Sequence, residues 1–260
     1  MLALQKLTIQ RKSKMFKNKN CTIYWAPAFV SDQDWNMLYS DPVSLFDTIR
    51  PLKTNSDNGS NFFYCPAFGN FTKNTFVLKN PMAASFNLVQ DNKLKVESQT
   101  KNHVFAHATR PPSITGCSIL EYGLSWIFFS EDDVEISLTS PYFEKVSPLK
   151  YGNIIPGRFN ISKWFRTLNL EYNLYDGVTE FCAEKDESLA YVSFNTTKPV
   201  KLVRFEMNKK LHQYAESVGT SSDWESWIPL MDRYSRFIKT KTNKLVLNEI
   251  KKNLVDTDTD

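Results

Sequence analysis

Apolar and polar residues alternate with a two-residue period over several stretches of the chain, most densely between Gly116 and Asp176. Trp126-Ile127-Phe128-Phe129 is a continuous apolar run that meets the turn-forming Ser130-Glu131-Asp132-Asp133, and Val134-Glu135-Ile136-Ser137-Leu138 then alternates. An apolar run, a turn and a period-two return predict a β-hairpin. Pro156-Gly157 turns the chain into the segment Arg158–Arg166, after which Leu168–Leu174 alternates strictly. The stretch reads as a sheet with one buried face.

The same reading extends along the chain. Thr22–Trp25 predicts a first strand stopped by Pro27. Ser31–Trp35 carries N-cap chemistry for a short helix, and Asp41-Pro42 predicts another with Pro at its first position, with Leu45, Phe46 and Ile49 on one face and Pro51 at its end. Lys53–Ser60 reads as a polar loop. Short strands are predicted at Phe62–Tyr64, Thr75–Leu78, Ser85–Leu88 and Leu94–Val96, a spacing that suggests a sandwich or barrel. Ala190–Phe194 and Val200–Phe205, joined through Asn195–Pro199, predict a second hairpin. The texture then changes to helical spacing. Asn208–Val218 places Leu211, Ala215 and Val218 on one face, and Asn243–Leu254 does the same with Val246, Leu247, Ile250 and Leu254. Ser222–Lys239 carries a stripe of Trp224, Trp227, Ile228, Met231, Ser235 and Ile238, with Pro229 as a kink or restart.

These elements predict an α+β fold: a basic segment at 1–20, an antiparallel β-sandwich or jelly-roll-like body at 21–207, two or three C-terminal helices at 208–255 packed on it, and a disordered tail at 256–260. Composition agrees with a globular chain: 42% apolar, 23% charged and 14% aromatic residues in 260. The net charge of +4 belongs to the lead. The first twenty residues hold six of the 32 basic residues and none of the 28 acidic ones, leaving 26 against 28 in the body. That lead is an arm for nucleic acid or an acidic partner, or a solvated extension, and Met15 offers an alternative start. Four cysteines without CxxC spacing predict free thiols in a reducing, cytoplasmic compartment (of the host cell, if viral). No apolar run reaches membrane-spanning length, so no membrane association is expected.

The chemistry is sparse. Only eight glycines occur, and neither GxGxxG nor GxxxxGK[ST] is present, which argues against a phosphate-cradling enzyme. His103 and His107 share a side at four-residue spacing, but no HExxH or neighbouring carboxylate ligand completes a metal set, so no metal and no cofactor are expected. There is no Gly-x-Ser-x-Gly elbow, and the catalytic residues, if any, are unassigned. The remaining candidates for ligand binding are His103, His107, Arg110, Arg158, Trp164 and Arg166. Arg110 precedes Pro111-Pro112 and is held extended. In Arg158…Trp164-Phe165-Arg166, arginines interleave with aromatics, a pattern that stacks on bases or grips a carboxylate or phosphate. The plainer reading has Phe159, Ile161, Trp164 and Phe165 packing the sheet while the arginines reach the surface. The Trp224/Trp227/Met231 stripe reads first as core and alternatively as a partner-binding face.

The phrases Ile155–Arg166 and Lys201–Met207 resemble those of uncharacterised proteins of tailed phages of marine bacteria, and the Lys- and Asn-rich, Gly- and Ala-poor composition is similar to that of such AT-rich genomes. The resemblance covers the middle and later parts of the chain and implies a setting without an activity. The expected function is a non-catalytic binding or accessory protein with an unidentified protein partner. The alternatives are an enzyme or small-molecule binder with a pocket inside the β body, and nucleic-acid binding through residues 1–20.

Overall fold

The computed structural model describes residues 20–28, 37–54, 64–91, 93–98, 106–109, 118–218 and 228–255. The basic lead at 1–19, the helix start expected at Ser31 and the tail at 256–260 lie outside them. The elements in order are β1 (Cys21–Pro27), β2 (Val43–Ser44), α1 (Leu45–Thr54), α2 (Pro66–Thr72), β3 (Thr75–Lys79), β4 (Ala84–Asp91), β5 (Lys93–Ser98), β6 (Ala106–Thr109), β7 (Ser118–Ser130) and β8 (Glu135–Thr139). They continue with β9 (Gly152–Ile154), β10 (Gly157–Asn160), β11 (Thr167–Leu174), β12 (Glu180–Ala183), β13 (Ser188–Asn195), β14 (Val200–Arg204), α3 (Lys209–Val218), α4 (Leu230–Lys239) and α5 (Thr242–Ile250).

Three sheets form: β14-β1-β7-β11-β9 with β6 also on β7, then β10-β8-β13-β3-β2, and a small β12-β4-β5. The fold is α+β with a sandwich-like β body and C-terminal helices. Its pairing is antiparallel except at β1 and β14, which run parallel with Cys21 opposite Val200.

Side-chain alternation sorts the molecule into layers. Along β7, Leu120, Tyr122, Leu124, Trp126 and Phe128 point into a core shared with Ile136, Leu138, Val192 and Phe194 of the second sheet and with Phe86 and Phe181 of the third. Ile127 and Phe129 point the other way, into a core with Leu211, Ala215, Tyr234, Phe237, Val246 and Ile250 of the C-terminal helices. On the outer face of the second sheet, Val77 and Tyr191 bury Leu45 and Ile49 of α1 beside Phe68 and Phe71 of α2. The order is therefore helices, sheet, sheet, helices, each interface closed by one face of a period-two strand.

Both predicted hairpins prove to be arches between sheets. β7 pairs with β11 along one edge as far as Ile127, and with β6 and β1 along the other. β8 instead crosses to the second sheet, between β10 and β13. β13 and β14 likewise lie in different sheets. The two arches meet: Lys198 of the second holds Asp132 of the first at 3.2 Å. Asn74, in a left-handed conformation at φ 58°, fills the second arch. Its amide donates to the carbonyls of Thr196 and Lys198, both at 2.9 Å, and its oxygen accepts from Val200 N–H at 3.0 Å.

Other boundaries shift for local reasons. The helix expected from Pro42 begins at Leu45 after the short strand β2, and Pro51 lies inside it, so 53 and 54 are helical and not loop. Burial of Leu45 and Ile49 holds it, while Phe46 is exposed. Of the strand expected at 62–64, residues 62 and 63 lie outside the described residues, and Tyr64 leads into α2, where Pro66 occupies the first turn. Pro229 is the N-cap of α4 rather than a kink. Leu254 is not on the last helix; it bridges to Phe205 and is exposed.

Gly152→Ala tests the seat of β9. A Cβ there would press on the backbone of Asn173 and Leu174 in β11, which cannot rotate away. The expected loss is about 2–3 kcal/mol of unfolding free energy in urea titrations. Glu249 ties α5 to α3. Hydrogen bonds from Lys210 and then Asn208 hold its carboxyl at about 2. A lowered folded value means the stabilisation is present above the ordinary carboxylate range and lost as pH falls from about 4.5 to 2. In that window stability should fall more steeply for the native chain than for Glu249→Gln, with the Glu249 carboxyl titrating near the bottom of the window by NMR.

Candidate functional site

Ile161 and Phe165 anchor the segment after β10, each wholly buried, the first in the inter-sheet core and the second in the helix-side core against Phe129 at 5.4 Å. The chain between them is thereby pinned across the end of the sandwich. Asn160 closes the turn, its oxygen accepting from Ser162 N–H at 2.9 Å and Ser162 Oγ at 2.6 Å. Asn160 also donates to Asp133, and Lys163 pairs with it at 3.2 Å; the Asn160 hydrogen bond first, and then Lys163, hold that carboxyl below its usual range.

Trp164 projects from this turn into a column of three rings. Phe159 of β10 stacks on it at 4.4 Å between centroids and 28° between planes, and Tyr234 of α4 at 4.7 Å and 20°. The Arg166 guanidinium lies 5.2 Å from the Trp164 ring centre. Burial raises the Tyr234 hydroxyl, with Arg166 opposing that shift. Trp164 Nε1 is buried without a hydrogen-bond acceptor among the described residues.

Beside this column runs a groove of about 580 Å³. One wall comes from β10 and its turn (Arg158, Phe159, Asn160, Lys163, Trp164), the other from α4 (Met231, Tyr234, Ser235, Ile238, Lys239). Its size is that of a small-molecule or side-chain site. Among the described residues, its lining holds three cations and no carboxylate. Arg158 donates to Ser137 Oγ at 3.2 Å.

Of the sequence candidates, the structure brings Arg158, Trp164 and Arg166 together here. His107 lies on β6, paired with β7 in register with Glu121, and not on the β10 segment or α4 that wall the groove. His103 and Arg110 lie outside the described residues. The α4 stripe is corrected: its buried face is Arg233, Tyr234 and Phe237, while Met231 is 73% exposed and lines the groove. Trp224 and Trp227 of that stripe lie outside the described residues. Lys163, Tyr234 and Lys239 carried no period or motif that marked them as site residues.

Compared with known proteins, the chain matches no family model, no curated protein and no solved structure. The groove is therefore interpreted from its own residues.

A second polar cluster escaped the sequence reading. Ser188 Oγ donates to both oxygens of Glu144 at 2.8 Å, accepts from Lys79 Nζ at 3.0 Å, and Tyr191 donates to Glu144 at 3.2 Å. A Ser–Lys pair is a nucleophile arrangement only where substrate reaches the hydroxyl. Ser188 is 0% exposed, so the network ties the loop at 140–144 to β13 and β3. The acidic turn is also consumed structurally, with Glu131, Asp132 and Asp133 each facing a lysine, Lys251, Lys198 and Lys163. Among the described residues no three His, Cys, Asp or Glu side chains converge as metal ligands.

Proposed function

We propose that this chain is a non-catalytic binding or accessory protein, phage-encoded and cytoplasmic in its host, that recognises a partner protein in the groove between β10 and α4. The observation that carries the reading is the lining of that groove: an apolar floor with Met231 presented to solvent and, among the described residues, three cations and no carboxylate. A filled interior favours it over a pocket inside the β body. Tyr122, Trp126, Tyr172, Phe86 and Phe181 occupy the space between the sheets. Free thiols at Cys21, Cys65 and Cys182 are in keeping with a reducing compartment. Among the described residues no helix is long and apolar enough to cross a membrane.

The test is affinity capture from nuclease-treated host lysate with the native chain and with the Met231→Glu/Lys239→Glu variant. Both side chains are exposed, so the variant should fold. A protein retained by the native chain and lost from the variant supports the reading. Equal capture by both, or loss of the captured protein on nuclease treatment, overturns it.

A further inference from the structure

We infer that the groove takes the apolar face of an amphipathic helix flanked by acidic residues, contributed by the partner protein. This rests on the binding function proposed above and specifies its ligand. The α4 wall offers Met231, Ser235 and Ile238 at i, i+4 and i+7, a stripe of which Met231 and Ser235 are exposed and Ile238 is half-buried at the border with the core-facing Tyr234 and Phe237. Ser235 is small and lies between two larger apolar residues. That gives a low centre and raised ends, into which the ridge of a second helix fits. Met231 adapts to irregular surfaces. The helix is ten residues long, about 15 Å, so three turns of partner can lie along it.

Charge then selects the flanks. Arg158 and Lys163 stand on the opposite wall and Lys239 at the C-terminal end of α4, so positive charge borders the groove on both sides, with no lining carboxylate among the described residues. Lys163 already has Asp133, but that pair is exposed and readily shared. Lys239 has no ion pair among the described residues. Acidic side chains flanking an apolar stripe complement this border, and basic ones are repelled.

The ring column decides against single-stranded nucleic acid. Base recognition without pairing needs an open aromatic face. Phe159 covers one face of Trp164 and Tyr234 the other, and Tyr234 is itself 9% exposed. Phe159 in turn packs partly against the inter-sheet core, so the middle ring of the wall has no open face for a base.

The experiment selects 16-residue peptides from a displayed random library on the native chain, then measures the synthesised winners by fluorescence anisotropy, with a dT15 oligonucleotide as a second probe. The expected winners have apolar residues at i, i+3 or i+4 and i+7 and Asp or Glu beside them. Their affinity should fall about tenfold in Met231→Glu and several-fold in Lys239→Glu, weaken as salt rises, and survive in Met231→Leu. Winners that are basic, that lack the helical period, or that ignore Met231→Glu overturn the inference, as does an empty selection or dT15 binding that competes with the peptides. If lysate capture still depends on Met231 and Lys239 while such peptides fail, the binding function stands and only the acidic helix falls.

Discussion

Trp164→Ala is expected to lower the unfolding free energy by about 3 kcal/mol, while Trp164→Phe should stay within about 1 kcal/mol of the native chain. Trp164 is the middle ring of the Phe159–Trp164–Tyr234 column and so the direct link between the edge strand β10 and α4. It is only half-buried, which places the alanine loss at the low end for a tryptophan. Phenylalanine keeps a ring between the other two. It also removes an indole N–H that is buried without an acceptor, an arrangement that costs about 1–3 kcal/mol, and this offsets part of the smaller ring's lost contact. Urea titration gives the two energies, and amide exchange along α4 shows whether the loss is local: protection there should fall in the alanine variant before that of β7 does. Equal losses for alanine and phenylalanine would mean that the column does not couple the layers.

The second large effect is expected at Asn74. Asn74→Ala should cost about 3 kcal/mol, and Asn74→Gly about 1 kcal/mol less than that. Two contributions are separable because they respond differently. Both variants leave the Thr196 and Lys198 carbonyls and the Val200 N–H without the side-chain partner that holds the arch. Only alanine also keeps a Cβ at φ 58°, where asparagine is tolerated and glycine is free. Thermal and urea unfolding of the pair should therefore rank native, glycine, alanine. Alanine equal to glycine would remove the backbone part, and alanine equal to native would remove the bonding part.

Strands were legible in the sequence and their sheet membership was not. Alternation records which side of a strand is buried. It carries no record of which neighbour takes the strand's hydrogen-bond edges, and Ser130–Asp133 or Asn195–Pro199 can close a hairpin or an arch with the same residues. One signal was present. Trp126-Ile127-Phe128-Phe129 is apolar on both faces, as a strand between two cores must be, whereas Val134–Leu138 alternates, so the two could have been assigned to different surroundings. α2 was missed because Pro66–Thr72 is short and holds Gly69 and Asn70, and its burial comes from Phe68 and Phe71 packing by Tyr191. At the candidate site, the aromatic and arginine spacing of 158–166 drew attention to the segment that forms one wall of the groove. Its partner wall could not be read, because α4 carries two apolar faces and only tertiary packing decides that Tyr234 and Phe237 go inside while Met231 stays out.

The two arches and the parallel β1–β14 pair set the order in which the protein can be made. β1 is the first strand of the body to leave the ribosome, and its parallel neighbour β14 is the last, with Cys21 opposite Val200. Synthesis at about 5–20 residues per second separates them by on the order of 10–30 s. Throughout that interval one edge of β1 has no native partner, and the apolar side chains Ile23, Tyr24 and Trp25 have no finished core to enter. The large sheets are joined by the pairs β1–β7, β1–β14, β3–β13 and β8–β13, all between strands far apart in sequence, so the chain condenses late, in the slow regime of proteins dominated by distant contacts. The nascent chain thus depends on whatever shields β1 until Arg204 has emerged, and a message truncated before that point yields a strand with no place to go.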